Sequence, residues 1–349
     1  MTTQTTTPQA AMPAAQWVDT DTITVAEVPT PQIPDGWALV EVAYNGICGT
    51  DLAILHGKHP RAQHGLIPGH ELSGRVVVAG DGGPGVGALV AAEPLITCGK
   101  CRACRTGSSH VCRNLGLYGI DTPGALARYV ALPPQVLHEV PGDVDPKLAA
   151  LVEPLAVAVH AVEQSGLQEG DTVAVAGAGP IGMLTALVAR HAGASRVIIS
   201  EPSAWRREVA AGYGFDVVPE GSTLTEAALA ATDGEGADIV FDSAGHPAVA
   251  PELTTAVRVL GTIVIVGVHK APAPIDLRDV CFKELTMHGV RVYTTQDVAR
   301  AVELVASDAL ELSRLPVTVF PLEQAAQAFE AAASGADSLK VLVTPGVAQ

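Results

Sequence analysis

From Asp171 the chain reads DTVAVAGAGPIGMLTALVARHAGASRVIISEP, and this stretch restricts the fold more than any other. The apolar run from Thr172 to Ala176 has strand length, and Gly177-Ala-Gly179-Pro180-Ile181-Gly182 follows at once, forcing a turn. An apolar stretch of helical length continues to about Ala192, a second strand spans Arg196 to Ser200, and Glu201 closes it. A strand that turns through three glycines into a helix and returns as a second strand is the βαβ unit that holds a dinucleotide. Its glycines serve the tight turn, the approach of backbone to pyrophosphate and close helix packing, and the phosphates sit at the helix N-terminus. Pro180 and Ile181 lie inside the turn, so they join Gly177, Gly179 and Gly182 as candidate cofactor contacts. Glu201 stands where the fingerprint expects the acid that holds the ribose hydroxyls. Its charge would repel a 2′-phosphate and favours NAD(H) over NADP(H), while Arg206 and Arg207 are of the type that accommodates that phosphate. Further apolar runs at Asp216 to Pro219, Ala237 to Gly245, Gly261 to Gly267 and Leu285 to Tyr293 predict an α/β, doubly wound sheet of about five or six parallel strands.

With 349 residues the chain exceeds one ordinary core, so a second domain is expected beside this one. A net charge of −16 excludes partners bound through basic patches, so neither nucleic acid nor an anionic membrane surface is expected. The apolar runs fall short of the roughly 20 residues that a membrane helix needs. The opening MTTQTTTPQAAMPAAQ lacks the basic and apolar blocks of a signal peptide and reads as a tail, which predicts a cytoplasmic protein. Thiols stay reduced in that compartment, so clustered cysteines point to metal rather than to disulfides.

Residues 98–112, CGKCRACRTGSSHVC, bring four cysteines into one loop: Cys98, Cys101, Cys104 and Cys112. Four thiolates complete a tetrahedral zinc shell and leave no position for water, the pattern of a structural ion. Lys100, Arg102 and Arg105 offset its negative charge. Iron–sulfur clusters use similar spacing and are the competing reading.

A second set is more open. Cys48 and His70 are ligands that zinc prefers, and they flank a segment that reads as strand, turn, loop and strand. The third ligand is Glu71, next to His70, or an acid from elsewhere, of which Glu153 in LVEPLAVAVH is preferred. Glu153 also has a bland role, because an acid at a helix start meets the helix dipole favourably. Three protein ligands with one exchangeable position make a catalytic zinc, and Asp51 would fix the His70 ring from behind. His56, His59 and His64 belong to a loop that is solvated or lines a cleft; Tyr293 either faces that cleft or packs in the sheet; Cys281, without a partner, reads as a buried thiol.

Taken together, Cys48-Gly-Thr-Asp51, Gly69-His-Glu71, the four cysteines, Glu153-Pro-Leu and Gly177-x-Gly-x-x-Gly182 resemble the zinc-dependent medium-chain alcohol dehydrogenases, from about Ile33 to Val343. The likeness is to the sorbitol, butanediol and threonine dehydrogenase branch, with the butanediol enzymes nearest. The resemblance implies a GroES-like β-barrel catalytic domain, residues 1–152 and 295–349, around a Rossmann domain, residues 153–294, with the active site in the cleft between them. It also implies one catalytic and one structural Zn2+, NAD(H), a small alcohol or ketone substrate, and a homodimer or homotetramer commonly paired through the Rossmann sheet edge. By position, Cys48, His70 and Glu153 become the catalytic zinc ligands, Glu71 coordinates directly or exchanges with water, and the Thr50 hydroxyl passes the substrate proton outward. Many members carry a histidine at the position of Ala53 to end that relay; here water, His56 or Glu71 must do so, with water preferred. The expected activity is interconversion of a secondary alcohol (diol, polyol or hydroxyketone) and its ketone. L-threonine 3-dehydrogenase is the alternative within the class, and a catalytically idle cofactor-binding protein the alternative outside it.

Overall fold

The strand Thr172–Ala176 ends at Gly177, and the unit Pro154–Tyr293 is laid out around it. The structure, a computed structural model, describes residues 10–345. Six parallel strands run in the spatial order Asp216–Val217, Arg196–Ser200, Thr172–Ala176, Ala237–Asp242, Val257–Ile265, Thr286–Gly289. This is the doubly wound order, whose direction of winding reverses between Thr172–Ala176 and Ala237–Asp242 and opens a crevice at their carboxyl ends. Strands buried on both faces need apolar side chains throughout, and Ala174, Ile198, Val240 and Ile263 supply them with the helix residue Leu253. The glycines are enforced by contact: a Cβ on Gly182 would lie 1.9 Å from the Gly177 carbonyl oxygen. Helix Pro180–His191 starts with proline in its first turn, where the missing N–H goes unneeded. Two strands are shorter than the sequence suggests. Asp216–Val217 stops before Pro219, and Thr286–Gly289 covers only part of the run to Tyr293.

The other unit joins Met1–Glu153 to Thr294–Gln349. Its main sheet runs Val317–Pro321, Lys340–Thr344, Ala38–Gly46, Glu71–Val78, Leu89–Ala92, Leu137–Val140, with Tyr129–Leu132 also paired to Ala38–Gly46. Apart from the first pair, these strands are antiparallel. In the C-terminal segment Leu342 pairs opposite Gly46 and Val343 opposite Asn45. Buried Leu39, Leu126, Phe329 and Val343 share one core, so the two ends of the chain make a single interior.

The tail reading is corrected. Residues 1–9 lie outside the described residues, but Ala11–Asp19 is a strand paired with Thr22–Pro29. Met12, Ala14, Ala15 and Trp17 are buried against the core, and that burial overrides the weak strand propensity of an Ala- and Pro-containing segment. Among the described residues no helix is long and apolar enough to cross a membrane.

Candidate functional site

Cys48 is the N-cap of helix Gly49–Leu55, so the segment after it is helical and not the turn and loop that its sequence suggests. Asp51 explains the difference. Its Oδ2 accepts the Cys48 backbone N–H at 2.8 Å, closing a capping box that outweighs the poor helix propensity of Gly49 and Thr50. Asp51 Oδ1 faces His70 Nδ1 at 3.6 Å, longer than a hydrogen bond but close enough for charge to be felt. His70 immediately precedes the strand Glu71–Val78, and the register of that strand sets Glu71 beside Gly46, two positions before Cys48. Cys48, His70 and Glu71 each offer a ligand atom, all within 4.8 Å of one another. Burial opposes charge on His70, yet Asp51 and Cys48 outweigh it and raise the ring's pKa well above the usual imidazole value. The pocket is therefore electrostatically prepared for a cation, and its sulfur, imidazole and carboxylate fit zinc.

Glu153 is buried in the first turn of helix Val152–Ser165, outside this mutually close trio. Its charge is felt at the trio by a residue that the sequence reading passed over, Lys340. This lysine is 6% exposed, forms an ion pair with Glu71 and donates from Nζ to the Ile47 carbonyl at 3.0 Å. Burial works against its charge; Glu71, then Cys48 and Glu153, more than compensate and raise its pKa. Only glycine fits beside the pair, since a Cβ on Gly46 would meet Glu71 Oε2 at 2.1 Å. The available signal was a lone charge inside the apolar strand LKVLV.

Thr50 Oγ1 lies 3.9 Å from Cys48 Sγ. Of the loop histidines, exposed His56 is tied to Asp21 at 2.5 Å and His64 stands edge-on to Trp17. His59 is half-buried. Burial, then Arg61, lower its pKa, so neutral pH leaves it uncharged. Arg61 itself grips Asp121 with two hydrogen bonds of 2.7 and 3.0 Å. Tyr293 is fully buried. Cys281 is exposed, contrary to the buried thiol expected, because its helix Leu277–Phe282 is a short surface turn that also exposes both end residues.

The sulfurs of Cys98, Cys101, Cys104 and Cys112 lie within 4.8 Å of one another. Backbone N–H groups of Cys98 and Asn114 both point at Cys112 Sγ at 3.3 Å. Those of Cys104 and Arg113 lower the Cys101 thiol to about 6, whereas desolvation and its sulfur neighbours push Cys104 up to about 12. A loop whose amides converge on thiolates suits a closed four-sulfur zinc site.

In the dinucleotide crevice, Glu201 Oε2 accepts from Ala178 N at 2.8 Å and Oε1 from Ser203 N at 2.9 Å. Each oxygen keeps acceptor capacity for ribose hydroxyls. Arg206 reaches the glycine turn, its guanidinium 3.8 Å from where a Gly179 Cβ would stand, and its Nε is buried with no hydrogen-bond partner among the described residues. Arg207 is occupied by the Glu201 and Pro202 carbonyls and by Glu220.

Comparisons with known proteins agree with this layout. Residues 34–142 match the alcohol dehydrogenase GroES-like domain and residues 180–307 the zinc-binding dehydrogenase domain. The chain is 39% identical over 336 residues to 2-dehydro-3-deoxy-L-galactonate 5-dehydrogenase of Pseudoalteromonas atlantica, covering 95% of this chain and 98% of that one. It is 37% identical over 329 residues to L-threonine 3-dehydrogenase of Bacillus subtilis, covering 91% and 94%. A zinc-binding dehydrogenase from Sinorhizobium meliloti, solved bound to NADP, superimposes with a TM-score of 0.88 at 35% identity over 97% of this chain and 100% of that one. With a GroES-like unit, a doubly wound dinucleotide unit and relatives of this identity along nearly its whole length, the chain belongs to the zinc-dependent medium-chain dehydrogenase family.

Proposed function

We propose that this chain interconverts a secondary alcohol of a polyhydroxylated small molecule and its ketone, with NAD(H) as the redox partner. The observation that carries the proposal is the buried cluster of Cys48, His70 and Glu71 with Asp51 behind the imidazole, in a chain that also owns a dinucleotide crevice. Bound zinc supplies a Lewis acid for the substrate oxygen, and bound NAD(H) exchanges the hydride. Cys48 and His70 would hold the ion, and Asp51, facing Nδ1 at 3.6 Å, keeps the His70 ring oriented. The remaining ligand comes from Glu71 or Glu153. Lys340 restrains Glu71 by its ion pair, which suits an exchangeable ligand better than a permanent one. Thr50 takes the substrate proton outward. Because Ala53 has no imidazole, His56 is committed to Asp21 and Glu71 to Lys340, the proton leaves to water.

A substrate with several hydroxyls is favoured by the relative that acts on a deoxygalactonate, whereas another relative acts on L-threonine, which has a single hydroxyl. L-threonine is therefore the second reading. A panel of hydroxylated acids, vicinal diols, sugar alcohols and L-threonine, followed by NADH absorbance, decides between them. Reduction of NAD by an acid, diol or polyol is expected; reduction by L-threonine alone would select the second reading, and none with any member would defeat both.

Glu201 makes NAD the preferred cofactor. Glu201→Ser is expected to shift the NADP-to-NAD ratio of kcat/KM about tenfold towards NADP, since about 1.4 kcal/mol of discrimination is removed. An unmoved ratio would take Glu201 out of ribose recognition. The protein works in the cytoplasm, where six free thiols remain available to metal. It assembles as a homo-oligomer, at least a dimer, along the edge strand Thr286–Gly289, and the helix Leu277–Phe282 that precedes this strand exposes both end residues; its mass in solution is the check.

A further inference from the structure

We propose that Asp242 and His269 form a positioning pair that fixes the loops beneath the nicotinamide half of the cofactor. The inference rests on the dinucleotide reading and adds a residue pair to it. Asp242 ends the strand Ala237–Asp242 and is fully buried. Its backbone oxygen accepts from Val266 N at 2.9 Å and Gly267 N at 2.7 Å, binding the loop after the neighbouring strand Val257–Ile265. Its Oδ1 accepts from Ala244 N at 3.1 Å and Gly245 N at 2.9 Å, binding its own loop. Its Oδ2 accepts from His269 Nε2 at 2.6 Å. The other ring nitrogen is buried without a hydrogen-bond partner among the described residues, so Asp242 alone orients the imidazole.

One carboxylate thus ties together two loops that already touch. A Cβ on Gly267 would lie 2.3 Å from Gly245 N, and a Cβ on Gly177 would lie 3.3 Å from Ala244 Cα. The glycine-rich turn, the loop Ser243–Gly245 and the loop Gly267–His269 therefore pack in series along the carboxyl ends of three adjacent strands. In this fold the first three strands serve one nucleotide and the next three the other, so the loops joined by Asp242 belong to the nicotinamide half. Val268, between Gly267 and His269, is 87% exposed. An apolar side chain held out from a loop anchored on both sides is the form of a surface kept ready for a flat ring. His269 acts through Asp242 and the loop; it is a positioning residue.

The test is calorimetric binding of NADH and of ADP-ribose, which lacks the nicotinamide ring, to the zinc-loaded full chain. His269→Ala is expected to weaken NADH about tenfold, the loss of one hydrogen bond to a buried charge, and to leave ADP-ribose unchanged. His269→Gln, whose amide N–H reaches towards the same carboxylate, should restore most of the NADH affinity. Equal weakening of both ligands would show a merely structural clasp and overturn the proposal, as would unaltered NADH binding or failure of glutamine to restore it. If the unaltered protein binds neither ligand, the dinucleotide reading itself fails.

Discussion

Cys48→Ala is expected to lower turnover on the order of a thousandfold, while NADH binding stays intact and bound zinc falls from about two ions per chain to about one. Removing the sulfur leaves His70 and one carboxylate, too few ligands to retain the ion, so the Lewis-acid contribution of several kcal/mol is lost as a whole. Little of the rest of the structure depends on that side chain. The helix loses the sulfur's half of its capping box but keeps the half in which Asp51 accepts the Cys48 backbone N–H, and the four-cysteine loop is a separate cluster. The dinucleotide crevice is built by the other unit. Metal analysis and NADH fluorescence on the same sample therefore separate loss of chemistry from loss of fold. Retained turnover would remove Cys48 from the mechanism, and retained turnover with two ions still bound would move the catalytic metal elsewhere.

Features encoded within a few residues were legible in the sequence. The glycine turn is one, because each glycine answers a contact with its immediate neighbours, as Gly182 does with the Gly177 carbonyl. The four-cysteine loop is another, since its ligands need no distant element to bring them together. What depended on pairing across the chain was less legible. Ala11–Asp19 looks like a tail until Thr22–Pro29 pairs with it and the core covers Trp17. The acid beside Cys48 and His70 stayed open between Glu71 and Glu153, because strand register sets Glu71 opposite Gly46 and no local pattern states that register. Helix Gly49–Leu55 was hidden for another reason: its N-cap is a cysteine, whereas the residue that stabilises the cap is Asp51, three positions on. Lys340 is the extreme case, since its carbonyl partner Ile47 is 293 positions away.

Lys340→Ala is expected to destabilise its unit by about 3–5 kcal/mol, the usual penalty for leaving one member of a buried ion pair alone. For a unit of this size that corresponds to a fall in thermal midpoint of roughly 10 °C. Glu71 is 2% exposed, so removing Lys340 leaves its carboxylate buried without its ion-pair partner. A second substitution separates two origins of the loss. If the penalty comes from the orphaned charge, Glu71→Gln placed on the Lys340→Ala background should recover most of the midpoint, although the ion pair is still absent. If it comes from lost packing of the lysine stem against Gly46, the second substitution will recover nothing, and Lys340→Met alone will be nearly silent. Zinc bears on the same balance: a divalent ion at Cys48 and His70 supplies the positive charge that Glu71 lacks without Lys340, so the Lys340→Ala penalty should shrink when zinc is saturating. An equal penalty with and without added zinc would mean that Glu71 does not sense the ion, and would leave Glu153 as the third ligand.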